Sequence, residues 1–335
     1  MTLSGPIGIL DEHPEWSRRL IAALDARGLP FEKIDHSNHA FDPRDRTPRY
    51  SVIVNRTSPS SHTRGHGAVL FYAEALLAHY ESLGVPTINP VAAYRFEKSK
   101  ALQLDLFERL GIRYPRAVVV NHPDQLLKSL DRIAFPLIVK PNVGGSGAGI
   151  VRFDTRDALE AALGELDFGP DHTALLQEYI EPDGQAIVRI EVLDGRFLYA
   201  IRIVKETESR FNLCPADLCE LPSAALSACP VAPASALSVT RVEPPPDAVE
   251  AAVKLARAAS IDIGGIEYLV SRADGTRYFY DVNATSNFVA DAPTVLGFDP
   301  FPAFVDFILN VAARTSVRWA PWGGRAGGAS QRRPR

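Results

Sequence analysis

The residues best suited to chemistry lie in "GGIEYLVSRADGTRYFYDVNATSN", residues 264–287. The central "ADG" is a turn signal between two runs rich in aromatic and β-branched residues, which predicts a hairpin. Folded about Asp274, that hairpin sets Glu267 opposite Asp281 and puts Asn283, two residues on, on the same face. Directly opposed carboxylates destabilise a strand pair and raise one carboxyl pKa. A shared dication removes that penalty, and two carboxylates with an amide oxygen form a hard, all-oxygen set suited to magnesium. The alternative is a solvent-facing strand whose charges diverge, and a register shift of one residue would separate the three groups.

A second candidate is "FPLIVKPNVGGSGAGIVRF", residues 135–153, with four glycines among six residues between two apolar runs. A Walker A loop has its lysine after the glycines and opens a helix. Here Lys140 precedes the glycines and a strand follows, so the stretch is predicted to be the long tip of an antiparallel hairpin. A plain hairpin needs about two to five loop residues and one or two glycines. The excess glycine leaves two readings, a tight turn or a nest of backbone N–H groups that approach phosphate oxygens, with Lys140 as a point charge.

The elements that must position these groups read in two styles. Up to about residue 95, strand and helix alternate: "PIGIL", then "PEWSRRLIAALDARG" with Trp16, Leu20 and Leu24 at four-residue spacing, then "YSVIVN" and the helix "HGAVLFYAEALLAHYESLG". This predicts an open α/β lobe over residues 1–95. It lacks the G-x-G-x-x-G of a dinucleotide site, which argues against an oxidoreductase. "KSKALQLDLFERLG" follows, with Leu102, Leu106 and Leu110 predicted on one helical face and Gly111 as its stop. From "AVVV" to "RFLYAIRIV" strands dominate, an α+β pattern. Residues 213–246 are rich in Ala, Pro and Ser and read as an extended excursion, and Asp247 with Glu250 resembles a helix capping arrangement. The expected division is 1–95, 96–180 with the glycine-rich lid, 181–316 with the metal site, and a basic tail at 317–335.

The chain has 335 residues, 46% hydrophobic, and a net charge of -4 with both signs interspersed. No basic footprint for nucleic acid or an anionic membrane stands out. No apolar run reaches the roughly 18 residues of a membrane span, so the expected location is the cytoplasm. Cys214, Cys219 and Cys229 include no C-x-x-C pair, and reduced thiols are expected.

In order, these motifs resemble the ATP-grasp superfamily of carboxylate-amine ligases over about residues 98–300. The resemblance implies an ATP-grasp fold of mixed α/β and α+β type, with an N-terminal open α/β lobe and two α+β lobes clasping ATP. It implies that Lys100 and Lys140 contact the nucleotide, with Lys98 a rival for the first place, and that the loop of Gly144, Gly145, Ser146 and Gly147 covers the phosphates. "LLQEYIEPDG" resembles the hinge that holds adenine, with Gln177, Glu178, Tyr179 and Ile180, and Glu181 a candidate for the ribose. Glu267, Asp281 and Asn283 match the metal trio. The "QEYI" hinge, Arg189, "AIR" at 200–202 and "FNL" at 211–213 are similar to the ribosomal-protein glutamate ligases. By that likeness Arg189 and Arg202 face the acyl phosphate and substrate carboxylate, and Asn212 the phosphates or metal. Two departures stand out: Ile187 replaces the acid usual two residues before Arg189, and the 213–246 excursion has no counterpart in the family; Gly265 stands where D-alanine ligases carry an arginine, so dipeptide synthesis of that kind is disfavoured.

The implied activity is amide-bond formation through an acyl phosphate, with ATP and magnesium (or manganese) as cofactors and small carboxylate and amine substrates, an amino acid or peptide. A homo-oligomer is allowed; nucleic acid and membrane are not expected as partners. A non-catalytic ATP-binding protein of the same fold is the alternative. Asn55, Arg56, Arg64 and His66 in "VNRTSPSSHTRGHG" are read either as binding the second substrate or as a polar surface loop.

Overall fold

The computed structural model describes residues 3–13, 15–145, 147–204 and 237–316. Ser146, Asn212, the three cysteines and the 317–335 tail lie outside the described residues.

The first four strands are β1 (Ile7–Leu10), β2 (Phe31–Ile34), β3 (Val52–Asn55) and β4 (Thr87–Ile88), all parallel in the order β2-β1-β3-β4. Every position of β1 and β3 is buried, as parallel strands covered on both faces require. Helices α1 (Arg18–Asp25), α2 (Val69–Ser82) and α3 (Val91–Glu97) cover them. Helix α1 begins after Trp16, so that indole belongs to the β1–α1 connection, while Leu20 and Leu24 enter the core.

Helix α4 (Lys100–Leu110) is capped by Ser99, whose hydroxyl accepts from Leu102 N, and stops at Gly111, where φ of 66° favours glycine. Its buried side is rotated from the expected one: Leu102 is 42% exposed, and Gln103, Leu104, Leu106 and Phe107 face inward. Gln103 draws it there, donating to Val282 O (2.9 Å) and accepting from Val282 N (3.1 Å).

A second sheet holds β5 (Ala117–Val120), β6 (Leu137–Pro141), β7 (Val151–Phe153) and β8 (Ala174–Glu178), antiparallel in the order β5-β8-β6-β7, with α5 (Pro123–Lys128) and α6 (Arg156–Ala162). Its core of Leu126, Leu137, Val139, Phe153, Leu159 and Leu176 is separate from the others. Helix α4 does not join this core, although the expected 96–180 division placed it there; its apolar side packs with Ile190, Ile266 and Val282 of the third sheet.

The third sheet is antiparallel in the order β11-β10-β9-β12-β13, built from β9 (Pro182–Leu193), β10 (Arg196–Val204), β11 (Ser238–Val242), β12 (Ile263–Ser271) and β13 (Arg277–Asn283). Strand β11 corrects the expected excursion: the alternating "SVTRV" pairs with β10 from Ala200 to Val204. Helix α7 (Pro246–Ala258) starts one residue before Asp247, whose carboxylate accepts from Arg277 Nη1 (2.7 Å) instead of capping the helix. Helices α8 (Ala292–Leu296) and α9 (Phe301–Ser316) complete the fold. One face of this sheet shares a core with the N-terminal sheet, where Phe288, Phe304 and Ile308 meet Ile9, Val54, Ile187 and Ile201. Two sheets therefore share one apolar core, and only the small sheet stands on its own. Among the described residues no helix is long and apolar enough to cross a membrane.

Candidate active site

The β12–β13 hairpin sets Glu267 opposite Asp281 and Gly265 opposite Asn283. Near the turn the pairs are Val270 with Arg277 and Tyr268 with Phe279, a register that would pair Glu267 with Tyr280, one residue short of Asp281. A bulge between Glu267 and Tyr268 corrects this by one residue. The expected opposition thus depends on a local irregularity that equal spacing from Asp274 does not reveal.

The two carboxylates do not confront each other unaided: each is faced by a cationic side chain. Lys100 Nζ lies 3.0 Å from Asp281 Oδ1, and Arg189 donates through Nη1 to Glu267 Oε1 (2.9 Å) and through Nε to Glu191 Oε1 (2.6 Å). Tyr280 Oη donates to Glu267 Oε2 (2.8 Å), and Asn283 Nδ2 lies 3.4 Å from Glu267 Oε1. Each carboxylate already has a cation. Burial pushes Asp281 up, but Lys100 and Lys140 outweigh it and hold the carboxyl below its ordinary range. Burial raises Glu267, and Asp281 adds to the rise against the pull of Arg189. Burial lowers Lys100, but Asp281 more than restores it and leaves it raised.

Arg189 reaches Glu267 because β9 lies beside β12 with these residues in register. Its guanidinium lies over Gly265: a Cβ there would meet Arg189 Nη2 at 2.2 Å. The acid absent at residue 187 is matched on the far side by Glu191, two residues after the arginine, which the sequence reading did not single out.

Lys100, Arg189, Glu267, Tyr280, Asp281 and Asn283 line a cavity of about 200 Å³ between the small sheet and the five-stranded sheet, together with Lys140. Lys140, at the end of β6, is 4% exposed and makes no ion pair among the described residues. Burial first, then Lys100, push its ammonium down to about 7. Lys98, the rival of Lys100, is bound to Glu74 and stands over the Phe71 ring, outside the cavity.

Gly144, Gly145 and Gly147 line the cavity at the β6–β7 tip. A Cβ at Gly145 would stand 3.4 Å from Ser60 Cβ, so the tip reaches the N-terminal region. Gln177, Glu178, Tyr179 and Ile180 form the opposite wall. Arg116 N donates to Glu178 Oε1 (2.6 Å), and Tyr179 N donates to Pro136 O (3.0 Å), which fixes this segment between β5 and β6. Glu181 is exposed, accepts from Arg272 Nη1 (2.6 Å) and is not part of the wall.

Arg202 does not join the site. It pairs in register with Val188, which packs in the core beneath α7, so strand alternation points it away from Arg189 and Glu267. Arg56, by contrast, is 2% exposed and donates through Nη1 to Ser286 O (2.8 Å) and through Nη2 to Asn287 Oδ1. Asn55 Oδ1 accepts from Thr57 N (3.0 Å), and Arg64 and His66 both hold Glu12. The surface-loop reading therefore fails for Arg56. Trp16, Glu97, Thr285 and Asn287 also line the cavity and carry no motif that marks them.

Among the described residues no group of three or more His, Cys, Asp or Glu is assembled. The set is two carboxylates and an amide, which fits magnesium, an ion that keeps most positions for water and phosphate oxygens.

Lysines from two elements, a glycine-rich tip and a carboxylate hairpin closing on one cavity between two sheets define an ATP-grasp ligase. A profile of the RimK-like ATP-grasp domain matches residues 97–222. A probable α-L-glutamate ligase 1 of Shewanella denitrificans is 30% identical over 224 residues, 62% of this chain and 72% of that protein. A probable α-L-glutamate ligase of Aliivibrio salmonicida is 26% identical over 93% of this chain and 98% of its own length. The ATP-grasp ligase PsnB, solved with a phosphomimetic variant of its minimal precursor, Mg and ADP, superposes with a TM-score of 0.64 at 17% identity, covering 93% of this chain and all of that one. The chain belongs to the RimK-like family of ATP-grasp ligases.

Proposed function

We propose that this ligase couples cleavage of ATP to amide-bond formation between an amino-acid or peptide carboxylate and an amine, with glutamate as the first substrate to test. One observation carries the reading: Lys100, Lys140, Glu267, Asp281 and Asn283, from four separate elements, line one cavity. In the proposed reaction a substrate carboxylate oxygen attacks the γ-phosphorus in line and ADP leaves. The amine then attacks the acyl carbon, loses a proton and expels phosphate.

The protein's part is positioning and charge. Lys140, without an ion-pair partner among the described residues, takes the phosphates as its counter-anion. Lys100, resting on Asp281, is placed to turn to the nucleotide. Arg189 and Tyr280 orient Glu267, which makes Arg189 a positioning residue for this carboxylate. Glu267, Asp281 and Asn283 would hold magnesium, which when bound neutralises phosphate charge. The tip at Gly144, Gly145 and Gly147 covers the phosphates and keeps water from the acyl phosphate. Gln177 to Ile180 form the adenine wall. Glu181 is proposed at its exposed edge as a ribose contact, and Arg202 is given no direct role.

The test is ADP release with magnesium and ATP, stimulated only when a carboxylate and an amine are both supplied. L-glutamate and glutamate-terminated peptides should give that stimulation. Nucleotide binding without turnover across a full panel of amino acids and peptides would favour the non-catalytic alternative.

A further inference from the structure

Helix α4 carries Lys100 on its first turn, and a helix begins with backbone N–H groups that have no partner inside it. The hydroxyl of Ser99 meets the third of these, at Leu102. The first two are met from another sheet: Lys100 N donates to Asn142 O (3.3 Å) and Ala101 N donates to Asn142 Oδ1 (2.8 Å), which also accepts from Ser99 Oγ (3.3 Å). Asn142 directly follows β6, the strand that ends with Lys140 and Pro141.

The orientation of this buried amide is fixed by its partners. Asn142 Nδ2 donates to Asp171 Oδ2 (2.7 Å), and turning the amide over would set its NH2 against the Ala101 N–H and its oxygen against a carboxylate. Asn142 N donates to Thr173 O (2.8 Å). Asp171 and Thr173 lie just before β8, so the residue is anchored in the small-sheet lobe while its two oxygens hold the start of α4.

Apolar packing fixes each lysine to its own sheet. The buried side of α4 packs with the five-stranded sheet, and Gln103, one turn after Lys100, grips Val282 between Asp281 and Asn283. Strand β6 belongs to the separate core of the small sheet. Asn142 joins the two by hydrogen bonds, which demand closer geometry than apolar contact does. The lysines themselves are neighbours: after burial, Lys100 is the main influence holding Lys140 down.

We propose that Asn142 is a positioning residue that sets the spacing between Lys100 and Lys140, so that the phosphates of one nucleotide meet both ammonium groups. It does not line the cavity and acts through the helix start that it holds. This inference rests on the proposed nucleotide site and adds the residue that ties its two lysines together.

The test is a double-mutant cycle on the full chain, read by calorimetry as affinity for ATP with magnesium. Asn142→Ala should weaken ATP binding about tenfold, whereas in the Lys100→Met background, with no ammonium left to place, the same change should weaken it less than about threefold. Adenosine has no phosphates to meet the lysines. It should bind Asn142→Ala within about twofold of wild type. If the alanine variant does not fold, Asn142→Ser takes its place in the same cycle and decides. Unchanged ATP affinity, an equal loss in both backgrounds, or an equal loss for adenosine overturns the role of Asn142. The nucleotide site is judged separately: if Lys100→Met and Lys140→Met both bind ATP as wild type does, that reading fails, and if they weaken it while the cycle is additive, only the role of Asn142 fails.

Discussion

At the β12–β13 end of the cavity each carboxylate has its own cation, Lys100 on Asp281 and Arg189 on Glu267, whereas the buried Arg56, bonded to Asn287, meets only neutral oxygens among the described residues. The first arrangement is a set of charges that could exchange partners: in the proposed reaction Lys100 would turn from Asp281 to phosphate, and Glu267, Asp281 and Asn283 would hold the dication. The second is a buried guanidinium held by neutral oxygens, with no carboxylate of the described residues in ion-pair distance. Lys140 resembles it although it stands at the first end, being buried and without a carboxylate in ion-pair distance among the described residues.

The largest effect that breaks this contrast is expected from Glu267→Gln. It removes a metal-set charge and leaves Arg189 with Glu191 alone, and ADP release should fall at least about 100-fold, the loss of a few kcal/mol of charge stabilisation, with the circular dichroism spectrum unchanged. Turnover within threefold of the parent would remove Glu267 from the site.

Lys140→Met should act in opposite directions on binding and stability. Nucleotide affinity should fall about tenfold or more through loss of a buried charge-assisted contact, as measured by calorimetry. The nucleotide-free protein should melt a few degrees higher, because a buried ammonium is gone. The sign with pH follows from its folded pKa of about 7 lying below the unfolded value. The unfolded chain binds more protons in between, so wild-type stability rises with pH across that window. The melting advantage of Lys140→Met is then full below pH 7 and fades as pH climbs above it. A variant that melts lower at pH 6 would contradict the assigned burial cost.

A gentler effect concerns protons. Phosphates should restore the Lys140 charge, so ATP binding at pH 8 should take up close to one proton, seen as a dependence of the binding enthalpy on the ionisation enthalpy of the buffer. No uptake would mean that Lys140 does not meet the phosphates. The smallest effect is expected from Arg202→Ala, which should change kcat/KM for glutamate by less than about threefold, since its side chain leaves the opposite face of the sheet. A loss as large as that of Glu267→Gln would restore the role its motif suggested.

Much of the site was legible because its signals are local. The turn at "ADG" and the glycine run after Lys140 define hairpins whose partners lie within about twenty residues. Ser99 and Gly111 bound α4 and so set Lys100 on its first turn. Strand β11 was hidden because its alternation is short and borders a Pro- and Ala-rich stretch. The burial of α4 was misjudged because leucine spacing was followed, while the decisive contact is Gln103 with a backbone edge.

The sequence by itself determined the order of the motifs, the hairpin that carries two carboxylates and an amide, and the lysines that precede it, since each depends on neighbours along the chain. Tertiary structure alone decided that a bulge brings Glu267 opposite Asp281, that Arg189 fills the space over Gly265, and that Arg202 faces away. It alone brought Trp16 and Asn287 to one cavity from positions 271 residues apart, with Arg56 bonded to Asn287. The reason is that strand pairing and burial fix side-chain direction and charge balance through contacts between distant segments, and spacing along a chain carries no record of which distant group will supply the partner.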